Sequence, residues 1–153
     1  MVASDFSAIR TMRRGTAIHE AGHAVVMWAL GLTVSTIEIG IDADETKGRA
    51  DLLTSDEHLP LIDRVAICYA GIEAQYVFDC PPHELAGMLD HAKVAELLED
   101  ISEPRAKQIR EAGFDRARAL VLMHKANLLR VAERLVENGK VTTDEFATLV
   151  SNV

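Results

Sequence analysis

His19, Glu20 and His23 spell His-Glu-x-x-His inside RRGTAIHEAGHAVVMWALGL, Arg13 to Leu32. Histidines four positions apart emerge on one face of a helix, stacked about a turn apart. Both imidazoles can then bind one tetrahedral zinc ion. Glu20 lies just beside that face. From there its carboxylate reaches a water at the metal, takes a proton as that water attacks a carbonyl, and returns it to the leaving amine.

The surroundings of the motif sharpen this reading. From Gly15 to Leu32 the polar side chains are Thr16, His19, Glu20 and His23; the rest is apolar or glycine. A helix buried nearly all round has no ordinary use for them. An unpaired buried carboxylate is expensive, and a lone buried imidazole costs about 1–3 kcal/mol. A metal with two imidazole ligands and a hydrogen-bonded glutamate removes that difficulty. Gly22 costs a helix about 1 kcal/mol against alanine. With Ala21 and Ala24 it makes a thin surface, suited to close approach by another element. A third protein ligand must come from elsewhere, and by chemistry alone Glu73, His83, Glu84, Asp90 and His91 are all open.

Periodicity places these residues on elements. A first helix is expected from about Met12 to Leu30, with Gly31 as its stop. VSTIEIGI, Val34 to Ile41, alternates Ile37, Ile39 and Ile41 and reads as a half-buried strand; DADETKG is a turn, and RADLL its returning strand. TSDEHLPLIDRVAICYAGIEAQYVF reads as a capped helix, broken by DCPP. HELAGMLDHAKVAELLEDI is a third helix. A long helix follows from about Glu103 to Asn138, with Gly113 as a candidate interruption and Gly139 as its end. Thr142 and Glu145 form a capping box for a last short helix. The expected class is mainly α with a small β hairpin or sheet (α+β), in a single domain spanning 1–153.

Composition excludes several functions. A net charge of −8 opposes nucleic-acid binding, which needs a basic face. No uncharged apolar run approaches about 18 residues, so membrane insertion is not expected. MVASDFSAIRTMRR lacks the basic-then-apolar pattern of a signal peptide. Cys68 and Cys80 lie in no CxxC, and reduced thiols in a cytoplasmic protein are the expectation. No phosphate-binding GxxxxGK[ST] loop occurs.

HEAGHA, followed by a strand, a helix with AG and a later helical aspartate, resembles the peptidase domain of the FtsH-type zinc proteases. The likeness runs along most of the chain. ICYAGIEAQYVF is similar to that family's AGRAAEEI helix, and HELAGMLDHAKVAELL to its GASNDLERAT segment. FDRARALVLMHKANLLRVAERLVENGKVTTDEFATLV is similar to its C-terminal helices. The resemblance implies a zincin-like helical metallopeptidase domain, with zinc on His19, His23 and Asp90 and Glu20 as the catalytic glutamate. Departures are visible. Gln75 stands where the family usually has glutamate, Ala86 replaces the glycine of GASND, and Leu89 its asparagine. IEIGIDADETKG lacks the family's PRG, and the 153 residues include no AAA ATPase module.

The implied function is therefore a zinc-dependent metallopeptidase that cuts peptides or unfolded protein segments without ATP of its own. The competing reading is a catalytically inactive module, zinc-binding or metal-free, which Gln75 and the missing ATPase favour and the complete His-Glu-x-x-His opposes. A zinc hydrolase of small amides is a third. FtsH-type domains form hexameric rings, driven also by their ATPase, so the resemblance leaves a homo-oligomer open.

Overall fold

The computed structural model describes residues 3–151. The chain is mainly helical, with a small three-stranded antiparallel sheet, an α+β fold. Helix α1 spans Ala3–Ala29 and is followed by strand β1 (Ile37–Ile39), a 3-10 turn at Ile41–Ala43 and strand β2 (Gly48–Arg49). Helices α2 (Leu61–Val77), α3 (Glu84–Leu97), α4 (Arg105–Met123) and α5 (Lys125–Asn138) come next. Strand β3 (Lys140–Val141) and helix α6 (Thr143–Ser151) complete the order. Among the described residues no helix is long and apolar enough to cross a membrane.

The unbroken apolar character of Gly15 to Met27 has a direct counterpart: every one of these residues is buried, so α1 is the central rod. It begins well before the expected Met12, because residues 6–12 are exposed and carry no core-facing period to read. One core joins α1 to the sheet, α5 and α6 through Ile18, Val25, Ile37, Leu128, Val131, Leu135 and Phe146. A second lies among α2, α3 and α4, built on Val65, Tyr69, Val94, Leu98, Ile109 and Ala117.

Two cores explain where the long C-terminal helix breaks. The break is at His124, between α4 and α5, and not at Gly113. α4 packs into the second core through Ala106, Ile109 and Ala117, its last turn reaches the first core through Leu120 and Val121, and α5 continues in the first core after the chain changes direction. Gly113 sits inside α4, where a Cβ would run into the Val65 side chain. It is there for close helix packing.

The expected hairpin pairs Glu38 with Arg49 and Ile39 with Gly48, and an isolated bridge joins Val34 to Leu52. Its regular strands are shorter than the alternating pattern suggested. β3, which was not expected, pairs with the other side of β1, matching Ile37 with Val141. β2 is therefore an edge strand. The Thr142 hydroxyl accepts the Glu145 N–H at 3.2 Å and caps α6. α2 has no such cap; Pro60 precedes it and supplies no side-chain cap hydrogen bond.

Candidate metal centre

The two histidines are aimed by α2. Beside Gly22 the helices approach so closely that a Cβ there would lie 2.7 Å from the Ala70 carbonyl oxygen and the Ala74 methyl. At Gly71 a Cβ would stand 2.6 Å from His19 Nε2 and from His23 Nε2. The α2 backbone thus lies against the imidazoles and offers them acceptors. His23 Nδ1–H donates to the Ile67 carbonyl at 2.8 Å, and His19 Nδ1–H to Gln75 Oε1 at 3.0 Å. The Gln75 amide cannot be reversed without loss, because its Nε2 donates to the Gly15 carbonyl at 3.2 Å.

A neutral imidazole has one N–H. Here both are used at Nδ1, so both Nε2 atoms present lone pairs, and they do so to each other, 3.1 Å apart. Asp90 Oδ2 joins them, 2.9 Å from His19 Nε2 and 3.2 Å from His23 Nε2. Three buried acceptors in mutual contact require positive charge between them. Ligands about 2.0–2.1 Å from a tetrahedral ion stand roughly 3.4 Å from one another, close to the spacing seen here. This buried His/His/Asp group can hold a metal ion.

The same need for positive charge governs protonation. Burial pushes the His23 imidazole down, but its bond to Asp90 and the charges of Asp90 and Glu20 outweigh it, so its pKa is raised. Burial pushes Asp90 up, and the hydrogen bonds and charges of His19 and His23 carry it well below the usual carboxylate range.

α3 exists in this arrangement chiefly to deliver Asp90. It buries only Asp90 and Val94, and Val94 ties it to the second core. The other sequence candidates for third ligand lie elsewhere. His83 caps α3, its Nδ1 accepting the Ala86 N–H at 3.3 Å. Glu84 is exposed on the first turn of α3. His91 packs edge-on to Tyr69, ring centroids 5.5 Å apart. Glu73 is fully buried outside the group, with Oε2 unpartnered among the described residues.

Glu20 borders a cavity of about 310 Å³, shared with His19, His23 and Asp90. That is within the scale of ligand-binding cavities. Burial raises its pKa, against the pull of His23 and His19. The carboxylate is held from above by β2, since a Cβ on Gly48 would lie 2.5 Å from Glu20 Cγ. The loop before β2 is tied back to α1: the Thr16 hydroxyl donates to the Glu45 carbonyl at 2.7 Å, and Arg13 pairs with the Glu45 carboxylate at 2.9 Å. One wall of the cavity is the β2 edge, Thr46 to Asp51. The other is α3, through Ala86, Leu89 and Lys93. Cys68 also borders it, but burial pushes its thiol up to about 11, and it stays protonated.

Sequence reasoning missed the α2 side of this centre. Ile67, Gly71 and Gln75 recur every four residues and so form one helical stripe. That stripe becomes meaningful only once α2 is known to lie against the imidazoles. Gln75, noted as the absence of a carboxylate, supplies an acceptor to His19 as an amide. No protein-family model matches the chain, and no curated protein matches it.

Proposed function

We propose that the chain is a zinc metallopeptidase that hydrolyses peptide bonds in peptides or unfolded protein segments, with no ATP requirement of its own. The observation that carries this reading is the placement of Glu20. A buried carboxylate that makes no hydrogen bond or ion pair among the described residues borders the same cavity as the buried His/His/Asp group. A purely structural metal site has no use for such a group, and structural zinc sites generally close with a fourth protein ligand.

The donor set suits zinc: two imidazole nitrogens and one carboxylate oxygen, with the fourth position left to the cavity. Bound there, zinc supplies Lewis acidity, which makes water a better nucleophile near neutral pH and polarises a carbonyl. Everything else falls to the chain. Ile67 and Gln75 keep the histidine protons on Nδ1 and so keep both Nε2 lone pairs available. Glu20 accepts the proton of the attacking water and delivers it to the departing amine nitrogen. The β2 edge can hold an extended peptide by backbone hydrogen bonds across the cavity.

The test is hydrolysis of denatured casein by the zinc-loaded chain, with and without a chelator, beside Glu20→Gln. The wild type should cut and the chelator should stop it. Glu20→Gln should retain one zinc per chain and lose at least about 100-fold in rate, the usual scale for a positioned base. A zinc-loaded wild type inactive on casein and on short peptides would leave a metal-binding module. Equal activity in Glu20→Gln would remove the proposed mechanism.

A further inference from the structure

The groups that surround the metal position are, with one exception, acceptors or already committed. Both histidine N–H groups are spent on α2, and Glu20 and Asp90 bring carboxyl oxygens to the site. Of the other cations on the cavity wall, Lys47 lies 4.0 Å from Asp44, and Arg49 lies 3.2 Å from Asp51 and 3.8 Å from Glu38. His83 accepts the Ala86 N–H at Nδ1 and keeps its own N–H at Nε2, but it stands about two helical turns from Asp90 where Lys93 is within one. Lys93 borders the same cavity and makes no ion pair among the described residues.

Its position is set by the element that carries Asp90. Residues three apart share a helix face, so Lys93 follows Asp90 onto the cavity side of α3. The cavity that Lys93 lines is also bounded by Glu20 of α1 and Cys68 of α2.

We propose that Lys93 is a catalytic residue of this site, whose ammonium donates a hydrogen bond to the scissile carbonyl oxygen as negative charge builds there. This rests on the peptidase reading. As water adds, a C–O bond forms, the carbonyl π pair moves to its oxygen and one water proton passes to Glu20. As the C–N bond breaks, that pair returns and Glu20 gives its proton to the amine. Lys93 neither takes nor gives a proton in this sequence. It stabilises the oxygen at its most negative and holds the uncharged ground state more weakly, which is the condition for accelerating the reaction.

The experiment compares zinc-loaded wild type, Lys93→Met and Lys93→Arg. Lys93 is exposed, and methionine retains most of its apolar stem, so the fold should persist. The probe is a phosphinic pseudopeptide with alanine and leucine flanks, which carries the charge and shape of the tetrahedral state; its uncharged parent peptide is the control. Calorimetry should give one zinc per chain in all three. Lys93→Met should bind the phosphinic compound about 10–100-fold more weakly, at or below the lower end of the roughly 100–1000-fold known for lost oxyanion donors, because Lys93 is exposed to solvent. Binding of the parent peptide should be unchanged, kcat should fall with the phosphinic affinity at nearly constant KM, and Lys93→Arg should restore most of both. Unchanged phosphinic affinity in Lys93→Met would overturn the proposal, as would equal losses for probe and parent or a wild type that binds no probe. A wild type that binds the probe through Lys93 yet cuts neither casein nor peptides would instead count against the peptidase reading.

Discussion

Gln75 Oε1 stands 3.0 Å from His19 Nδ1, while Nε2 of the same amide donates to the Gly15 carbonyl. The side chain therefore fixes the tautomer of His19 and is itself fixed by the α1 backbone. A ligand-orienting partner of this kind typically contributes 10–100-fold to metal affinity. Gln75→Ala should weaken zinc binding by about that factor in a competitive chelator titration. Gln75→Glu should keep an acceptor for His19, and with it most of the affinity. It turns an acceptor toward the Gly15 carbonyl, so the metal-free protein should melt lower than wild type. Full affinity in Gln75→Ala would remove the orienting role.

Gly71 supplies the space for the imidazoles. With a Cβ 2.6 Å from both Nε2 atoms, Gly71→Ala should displace the two rings and abolish stoichiometric zinc. Gly87→Ala is the matched control on α3. There the new methyl would meet only Ile72 Cδ1, at 3.9 Å. It should leave zinc untouched and raise stability by about 0.5–1 kcal/mol, the usual gain of alanine over glycine inside a helix. Zinc retention by Gly71→Ala, measured by metal analysis after dialysis, would contradict the observed geometry.

Asp90 comes from a helix that is otherwise largely exposed, so metal binding should fasten α3 to α1. Zinc should therefore raise the melting temperature of the wild type, because an ion that binds only the folded chain stabilises it. Asp90→Ala should lose most of that rise, and hydrogen exchange in α3 should no longer slow when zinc is added. An equal zinc-induced shift in wild type and Asp90→Ala would move the third ligand to another residue.

The parts of the centre legible in the sequence are those whose geometry is local. One turn of helix relates His19 to His23, so their spacing carries the chemistry without a tertiary structure. Asp90 is sixty-seven residues beyond His23, and no local pattern separates it from Glu73 or His91; only the family resemblance points to it. Gly71, Gly48 and Lys93 depend on how α2, β2 and α3 meet α1, which no periodicity encodes. The same division holds for the fold. The apolar run of α1 was plain, while β3 is two residues long and exists only through pairing with β1. The break at His124 comes just after α4 passes from the second core to the first at Leu120 and Val121, whereas glycine, the usual local signal, points to the wrong position.

Glu73 is the buried carboxylate that the centre does not use. Its exposure is 1%, Oε2 has no hydrogen-bond partner among the described residues, and burial raises its pKa, partly opposed by Arg118 and reinforced by Asp115 on α4. A carboxyl whose folded pKa is raised contributes fully to stability below its unfolded value, about 4.3, and loses that contribution as pH rises through the folded value. Glu73→Met places an unbranched apolar chain of similar length in the same space. At pH 8 the variant should be more stable than wild type by about 1–3 kcal/mol, the scale of one unsatisfied buried polar group. Near pH 4 the advantage should shrink or vanish, because the wild-type carboxyl is then neutral. Denaturant melts of both metal-free proteins between pH 4 and 8 read this difference directly, and contributions of other titrating groups common to both cancel. A variant less stable than wild type at pH 8, or a difference that does not change with pH, would mean that Glu73 is satisfied and ionised in the folded chain.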